Sequence, residues 1–287
     1  MKPAPILAAF TVTPAVSAAQ ATCHDYVIIS IRGTYEPQGR SIAFTTMINQ
    51  TFAAIPGGIE YDAVYPAAAD QTAYLGADDV TRFLDNGLQE CPRQQYAILG
   101  YSQGASATML TLNNITDTSS AAYKAIKAVL VTGNPYHVPN ASANVDENGG
   151  DASKNYPGAL YNANSASSRG IPQTYYDSGA LLDICHQDDS VCAPKAPNAS
   201  FIPGHLHYGD QNVQDLGAKF LISRFSANDN NSSPTSTAAA SSSSSLGLPT
   251  GSPTGSEPSQ NTGGANMVSM SFVAALGGVF ALLLQGC

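Results

Sequence analysis

The chain has 287 residues, 12 Lys+Arg against 21 Asp+Glu, a formal charge of −9 at pH 7, five Cys and no Trp. That acidic balance excludes nucleic acid and an anionic lipid surface as electrostatic partners. Only 11% of residues are charged and 43% are apolar, so a sizeable core is available, although both ends differ in composition from the middle.

Residues 1–21, MKPAPILAAFTVTPAVSAAQA, hold one Lys, an apolar stretch and small residues at Ala-x-Ala-like positions. This is the layout of a secretory signal peptide cut between Ala18 and Ala21; Pro3, Pro5 and Pro14 disfavour the competing buried strand. Residues 22–226 then form one domain containing 11 of the 12 basic and 19 of the 21 acidic residues. Within it, DYVIISIRG (25–33) reads as a buried strand and SIAFTTMINQTFAAI (41–55) as a helix stopped by Pro56-Gly57-Gly58. EYDAVYP (60–66) reads as a short strand. DQTAYLGADDVTRFLDNGLQEC (70–91) is an amphipathic helix with Tyr74, Val80, Phe83, Leu84 and Leu88 on one face. QYAILG (95–100) is a strand, ASATMLTL (105–112) a helix, AIKAVLVTG (125–133) a strand, PQTYYD (172–177) a weaker strand and GDQNVQDLGAKFLISRF (209–225) a closing helix. Strands alternating with helices predict an α/β, three-layer sandwich around a central, mostly parallel sheet, with sites at the carboxyl ends of the strands.

Beyond the domain, residues 227–262 are dominated by Ser, Thr, Pro and Gly and predict a disordered stalk. Residues 263–287 end in an apolar stretch without any Lys or Arg after Arg224. A glycosylphosphatidylinositol (GPI) attachment signal, removed on transfer, fits this better than a spanning helix. Sequons at Asn49, Asn114, Asn140, Asn198, Asn230 and Asn231 agree with a secretory route. Cys287 falls in the discarded tail. Cys23, Cys91, Cys185 and Cys192 remain, with no zinc-type spacing, and an oxidising compartment favours two disulfides among three possible pairings.

The chemistry centres on LGYSQGA (99–105), a G-x-S-x-G pattern between a strand and a helix. Glycines two positions either side of Ser102 permit a sharp turn that presents the hydroxyl and aims the Gln103 N–H at a developing oxyanion. A serine nucleophile needs a base held by an acid, in chain order Ser, Asp or Glu, His. His24 and His137 are poorly placed and read as surface or core histidines, and His186 lies upstream of the acid. The acid candidates are Asp183, Asp188 and Asp189 in LDICHQDDSVC, two of them inside the short loop that Cys185 and Cys192 can pinch. The base candidates are His205 and His207 in PGHLHYG. Spacing alone chooses neither between Asp188 and Asp189 nor between the two histidines.

CPRQQYAILGYSQGA, CHQDDSVC and HLHYG resemble the three signature blocks of the fungal cutinase family, small α/β hydrolases that act on esters and include the acetylxylan esterases. The likeness covers residues 22–226 and implies the small version of the fold, without a large cap domain. Position by position, its G-Y-S-Q-G, D-x-V-C and H-x-x-Y-G patterns imply Ser102, Asp189 and His205 as the triad. They further imply Cys23–Cys91 and Cys185–Cys192 disulfides, and an oxyanion hole of Gln103 and Thr34, the latter in IRGTYE. The stretch 135–170 is longer than in short cutinases and reads as an exposed loop, over the site or merely decorating the surface. Phe201 and Ile202, before the base, are an acyl-site lip or packing under the loop. The expected activity is hydrolysis of cutin-like or short-to-medium acyl esters through an acyl-enzyme, by a secreted monomer that needs no metal or cofactor and touches membrane only through the anchor. Deacetylation of xylan is the alternative within the class, and a non-catalytic surface glycoprotein the alternative outside it.

Overall fold

In the computed structural model the described residues are 22–201 and 203–229. The signal, most of the stalk and the tail read above, with Asn230, Asn231 and Ile202, lie outside them. A six-stranded sheet carries every strand parallel to its neighbours, in the order β2-β1-β3-β4-β6-β5. The strands are β1 (Tyr26–Ile31), β2 (Gly58–Asp62), β3 (Gln95–Tyr101), β4 (Ile126–Thr132), β5 (Asn144–Val145) and β6 (Leu181–Ile184). The helices are α1 (Thr45–Ala54), α2 (Ala73–Glu90), α3 (Gln103–Asn113), α4 (Ala121–Ala125), α5 (Gln173–Asp177) and α6 (Gln211–Asp229).

The period of two along each strand divides the interior into two cores. Val27, Ile29 and Ile31 of β1, with Tyr96 and Ile98 of β3, face α2 and α3; Tyr26, Ile28, Ala97, Leu99 and Tyr101 face α1 and α6. Both faces of a parallel sheet are covered, which is why its central strands read as continuous apolar runs. Among the described residues, no helix is long and apolar enough to cross a membrane.

Three expectations change. PQTYYD is not a strand: Pro172 precedes the short helix α5, Gln173 Nε2 donates to Asp177 Oδ1 across one turn at 2.9 Å, and Tyr175 and Tyr176 are buried. The strand lies instead at Leu181–Ile184, four residues that run parallel to β4. The stretch 135–170 is no simple exposed loop, since it supplies β5 at the sheet edge and buries His137, Ser153 and Glu147. Finally, α6 continues to Asp229, three residues into the segment read as stalk.

Candidate active site

Ser102 sits between β3 and α3 with φ 54° and ψ −114°, a left-handed conformation that costs a non-glycine residue about 1–3 kcal/mol. The surroundings enforce it. Its N–H donates to Thr132 O at 3.0 Å, and its carbonyl accepts Ala105 N–H at 2.9 Å. The flanking glycines are steric necessities: a Cβ on Gly104 would collide with Ile31 O, and one on Gly100 with the Gly104 carbonyl and Thr108 Oγ1. The turn therefore lifts the hydroxyl at the carboxyl end of β3 and leaves Gln103 as the first residue of α3, where a backbone N–H has no intrahelical acceptor.

Three side chains from separate loops form one hydrogen-bonded line. His205 Nε2 lies 2.8 Å from Ser102 Oγ, and its Nδ1 lies 2.8 Å from Asp189 Oδ2. His205 and Asp189 are buried, and Ser102 is 8% exposed. The open alternatives fall elsewhere. Asp183 faces buried His137 at 3.0 Å, Asp188 pairs with His186 at 2.5 Å, and His207 stands 3.7 Å from Asp210 near the surface. Behind His205, Tyr101 Oη donates to His205 O at 2.6 Å, and Gly133 leaves room for the ring. The Phe201 ring lies 5.0 Å from the imidazole, tilted by 31°.

The acid loop is closed by the Cys185–Cys192 disulfide, while Cys23–Cys91 ties the start of the domain to the end of α2. The 135–170 stretch braces that loop through Ser153 Oγ to Cys185 O at 2.6 Å, Cys185 N to Val145 O at 2.9 Å, Gln187 N to Glu147 Oε2 at 3.0 Å and Ala159 N to Val191 O at 2.8 Å.

Thr34 follows Gly33, whose Cβ position would lie 3.3 Å from Ser102 Cβ, so the turn after β1 passes directly beside Ser102. The turn is held from within. Glu36 accepts from Gly33 N–H at 2.5 Å, Ile42 N–H at 2.8 Å and Ser41 Oγ, while Arg32 donates to Glu36 O, Ala63 O and Tyr65 O. Burial pushes the Glu36 carboxyl above its usual range, opposed by those same hydrogen bonds. Two glutamines join this turn to the elbow. Gln71 Nε2 donates to Thr34 Oγ1 and Gln103 Nε2 to Ala68 O, both at 3.0 Å. The Thr34 hydroxyl thus accepts from Gln71 through one lone pair, and its own proton is not used in that bond.

Glu36, Gln71, Tyr101 and Tyr208 were invisible as site residues in the sequence. Tyr101 in G-Y-S-Q-G and Tyr208 in H-x-x-Y-G are letters of those patterns without a role, and Glu36 and Gln71 carry no signal at all. Tyr208 Oη donates to Asp189 Oδ2 at 2.7 Å.

A parallel sheet covered on both faces, with a strained serine elbow at a strand end, defines an α/β hydrolase. The chain belongs to the Cutinase family, whose model matches residues 22–225, and it is an ester hydrolase. Among curated relatives, "Probable carboxylesterase Culp2" of Mycobacterium tuberculosis is 27% identical over 215 residues, covering 73% of this chain and 84% of that protein. "Cutinase cut1" of Trichoderma harzianum is 22% identical over 206 residues, covering 69% and 66%. Among solved structures, a cutinase-like protein from Cryptococcus sp. superposes with a TM-score of 0.65 at 37% identity, over 72% of this chain and 98% of that one. The catalytic core of an acetyl xylan esterase from Trichoderma reesei shares the fold, with a TM-score of 0.53 at 22% identity over 71% and 100%.

Proposed function

We propose that the protein is a secreted serine carboxylesterase that cleaves cutin-like or short-to-medium acyl esters through an acyl-enzyme. The observation carrying this reading is the unbroken line Ser102 Oγ, His205, Asp189 at 2.8 Å per link. His205 Nε2 takes the Ser102 proton as Oγ attacks the ester carbonyl, and Asp189 steadies the imidazolium that forms. The Gln103 N–H and Thr34 hydroxyl stabilise the oxyanion. His205 then returns the proton to the departing alcohol, and a water activated by the same ring releases the acid.

An apolar acyl group is favoured by the side chains that adjoin these groups. Phe201 lies against the His205 ring, and exposed Tyr35 and Leu206 follow Thr34 and His205 in the chain. Acetylated xylan is the second reading, supported by the fold shared with the acetyl xylan esterase core. The test compares kcat/KM on p-nitrophenyl acetate, butyrate and octanoate and on acetylated xylan, with Ser102→Ala as control. Preference for butyrate or longer supports the acyl-ester reading, whereas efficient release of acetate from xylan replaces it with the second. A Ser102→Ala protein as active as the wild type overturns both.

The ends support secretion and a GPI tether as drawn from the sequence. Release of cell-bound protein by a phosphatidylinositol-specific phospholipase is the expected outcome, and resistance to it refutes the tether.

A further inference from the structure

Asp189 is wholly buried, and its two oxygens are held differently. Oδ1 accepts the Val191 N–H at 2.7 Å, whereas Oδ2 accepts both His205 Nδ1 and the Tyr208 phenol. The phenol has little freedom. Its oxygen accepts the His186 N–H at 3.0 Å, so its single proton is directed to the carboxylate. Tyr208 itself is fixed by Gln214, whose Nε2 donates to Tyr208 O at 2.6 Å and to Ala43 O at 2.7 Å. Its ring stands edge-on to His205, 6.2 Å away at 84°, and 5.6 Å from Tyr101. Burial first, then the Asp189 charge, pushes the phenol well above 10, so it remains a donor throughout the working pH range.

We propose that Tyr208 is a positioning residue of this site. Its phenol fixes Asp189 Oδ2 and, by sharing that oxygen with His205 Nδ1, limits how strongly the carboxylate holds the protonated base. The proposal rests on the Ser102–His205–Asp189 reading above. Two donors on one oxygen each reduce the charge the other meets. Without the phenol the Oδ2 charge is felt by the imidazole alone, which favours imidazolium and leaves less free base at a given pH. The carboxylate also becomes free to turn about its Oδ1 bond. Other titratable groups around this contact are Tyr101 from β3 and His186 in the acid loop, itself facing Asp188 and Glu147; Glu36 acts on Tyr101 from the oxyanion turn.

The experiment measures kcat and KM for p-nitrophenyl butyrate against pH, with Tm, in wild type, Ser102→Ala and Tyr208→Phe. The expected result for Tyr208→Phe is an acid limb of kcat/KM moved to higher pH by about half to one unit, with kcat about tenfold lower and KM within about twofold. A lower Tm with the acid limb unmoved assigns Tyr208 to packing alone and overturns the proposal. Should Tyr208→Phe not fold, 3-fluorotyrosine placed at position 208 keeps the shape and strengthens the donor. The limb then moves to lower pH, and an unmoved limb again overturns the proposal. Undiminished activity in Ser102→Ala overturns the underlying site reading, a result distinct from failure of the Tyr208 shift alone.

Discussion

Gly133→Ala tests whether the base is held by its floor. Gly133 follows β4 with φ 56°, and a Cβ there would lie 2.7 Å from His205 Cε1 and 3.0 Å from Nδ1 and from a Tyr208 ring carbon. Left-handed alanine costs about 1–2 kcal/mol by itself. Restoring ordinary carbon contact forces the imidazole back by about 0.7 Å. The Ser102 Oγ to Nε2 distance, now 2.8 Å, then grows to about 3.5 Å, beyond a useful hydrogen bond. Displacements near 1 Å cost up to about a hundredfold in rate, so kcat/KM falls by about tenfold to a hundredfold, and Tm by about 2–8 °C. Gly149→Ala is the control, with φ 80° but nothing nearer than Leu216 Cδ1 at 3.5 Å. It carries similar backbone strain and loses stability without losing rate. Hydrolysis of p-nitrophenyl butyrate and thermal melts on both variants make the comparison. A Gly133→Ala enzyme within twofold of wild type refutes the steric account of how His205 is placed.

Gln71→Ala removes the donor that orients the Thr34 hydroxyl, so kcat drops by about tenfold with KM little changed, an indirect share of the 10²–10³ that a lost oxyanion donor costs; steady-state kinetics check it. The two disulfides separate by function. Replacing both Cys23 and Cys91, 68 residues apart, removes up to about 4 kcal/mol and lowers Tm by about 8–16 °C with the rate per folded molecule kept, whereas replacing Cys185 and Cys192, 7 apart, costs less stability but loosens the loop that carries Asp189 and lowers kcat. Tyr26 and Tyr61 are raised from 10.0 to about 12, mainly by burial, so the stability they contribute is intact below pH 10 and is lost as pH climbs towards 12; melts across pH 9–12 show the fall, and Tyr26→Phe makes it shallower. Asp189→Asn costs about 10⁴ in kcat by analogy with other serine triads, whereas Asp188→Asn stays within about threefold; comparable losses in both refute the assignment of the acid.

The serine turn was legible because Gly100 and Gly104 stand two positions either side of Ser102, a spacing visible in the sequence. A Cβ on Gly100 would strike the nearby Gly104 carbonyl, and one on Gly104 the backbone of Ile31 and Arg32 at the end of β1. The long strands were legible for a similar reason, since a strand buried on both faces must be apolar throughout. What escaped notice depends on contacts far apart in the chain. Leu181–Ile184 is too short to show periodicity, and its status as a strand comes from β4 on one side and β5 on the other. The polar 135–170 stretch reads as surface loop because its buried members, His137, Ser153 and Glu147, are polar residues satisfied by or facing the acid loop and β6. Gln71 and Tyr208 make their bonds to Thr34 and Asp189 across 37 and 19 residues, at spacings that no local pattern encodes.

Four of the histidines face an aspartate, at 3.0 Å (His137–Asp183), 2.5 Å (His186–Asp188), 2.8 Å (His205–Asp189) and 3.7 Å (His207–Asp210). A His–Asp contact therefore does not by itself make a general base. A general base of this kind needs the second ring nitrogen on a hydroxyl, and among the described residues only His205 has both nitrogens engaged in that way. His137 and Asp183 are sealed from solvent, so that pair serves to bind the 135–170 stretch to β6. His207 is close to half exposed, where water screens its aspartate and leaves the ring unoriented. The neighbours Asp188 and Asp189 part company because adjacent residues of the pinched loop point in different directions. Asp189 turns inward to Tyr208, Val191 and His205, while Asp188 remains partly exposed beside His186. The disulfide between Cys185 and Cys192, seven positions apart, and the bracing bonds from Glu147, Ser153 and Ala159 hold that difference in direction, which is what makes Asp189 rather than Asp188 the acid of the proposed triad.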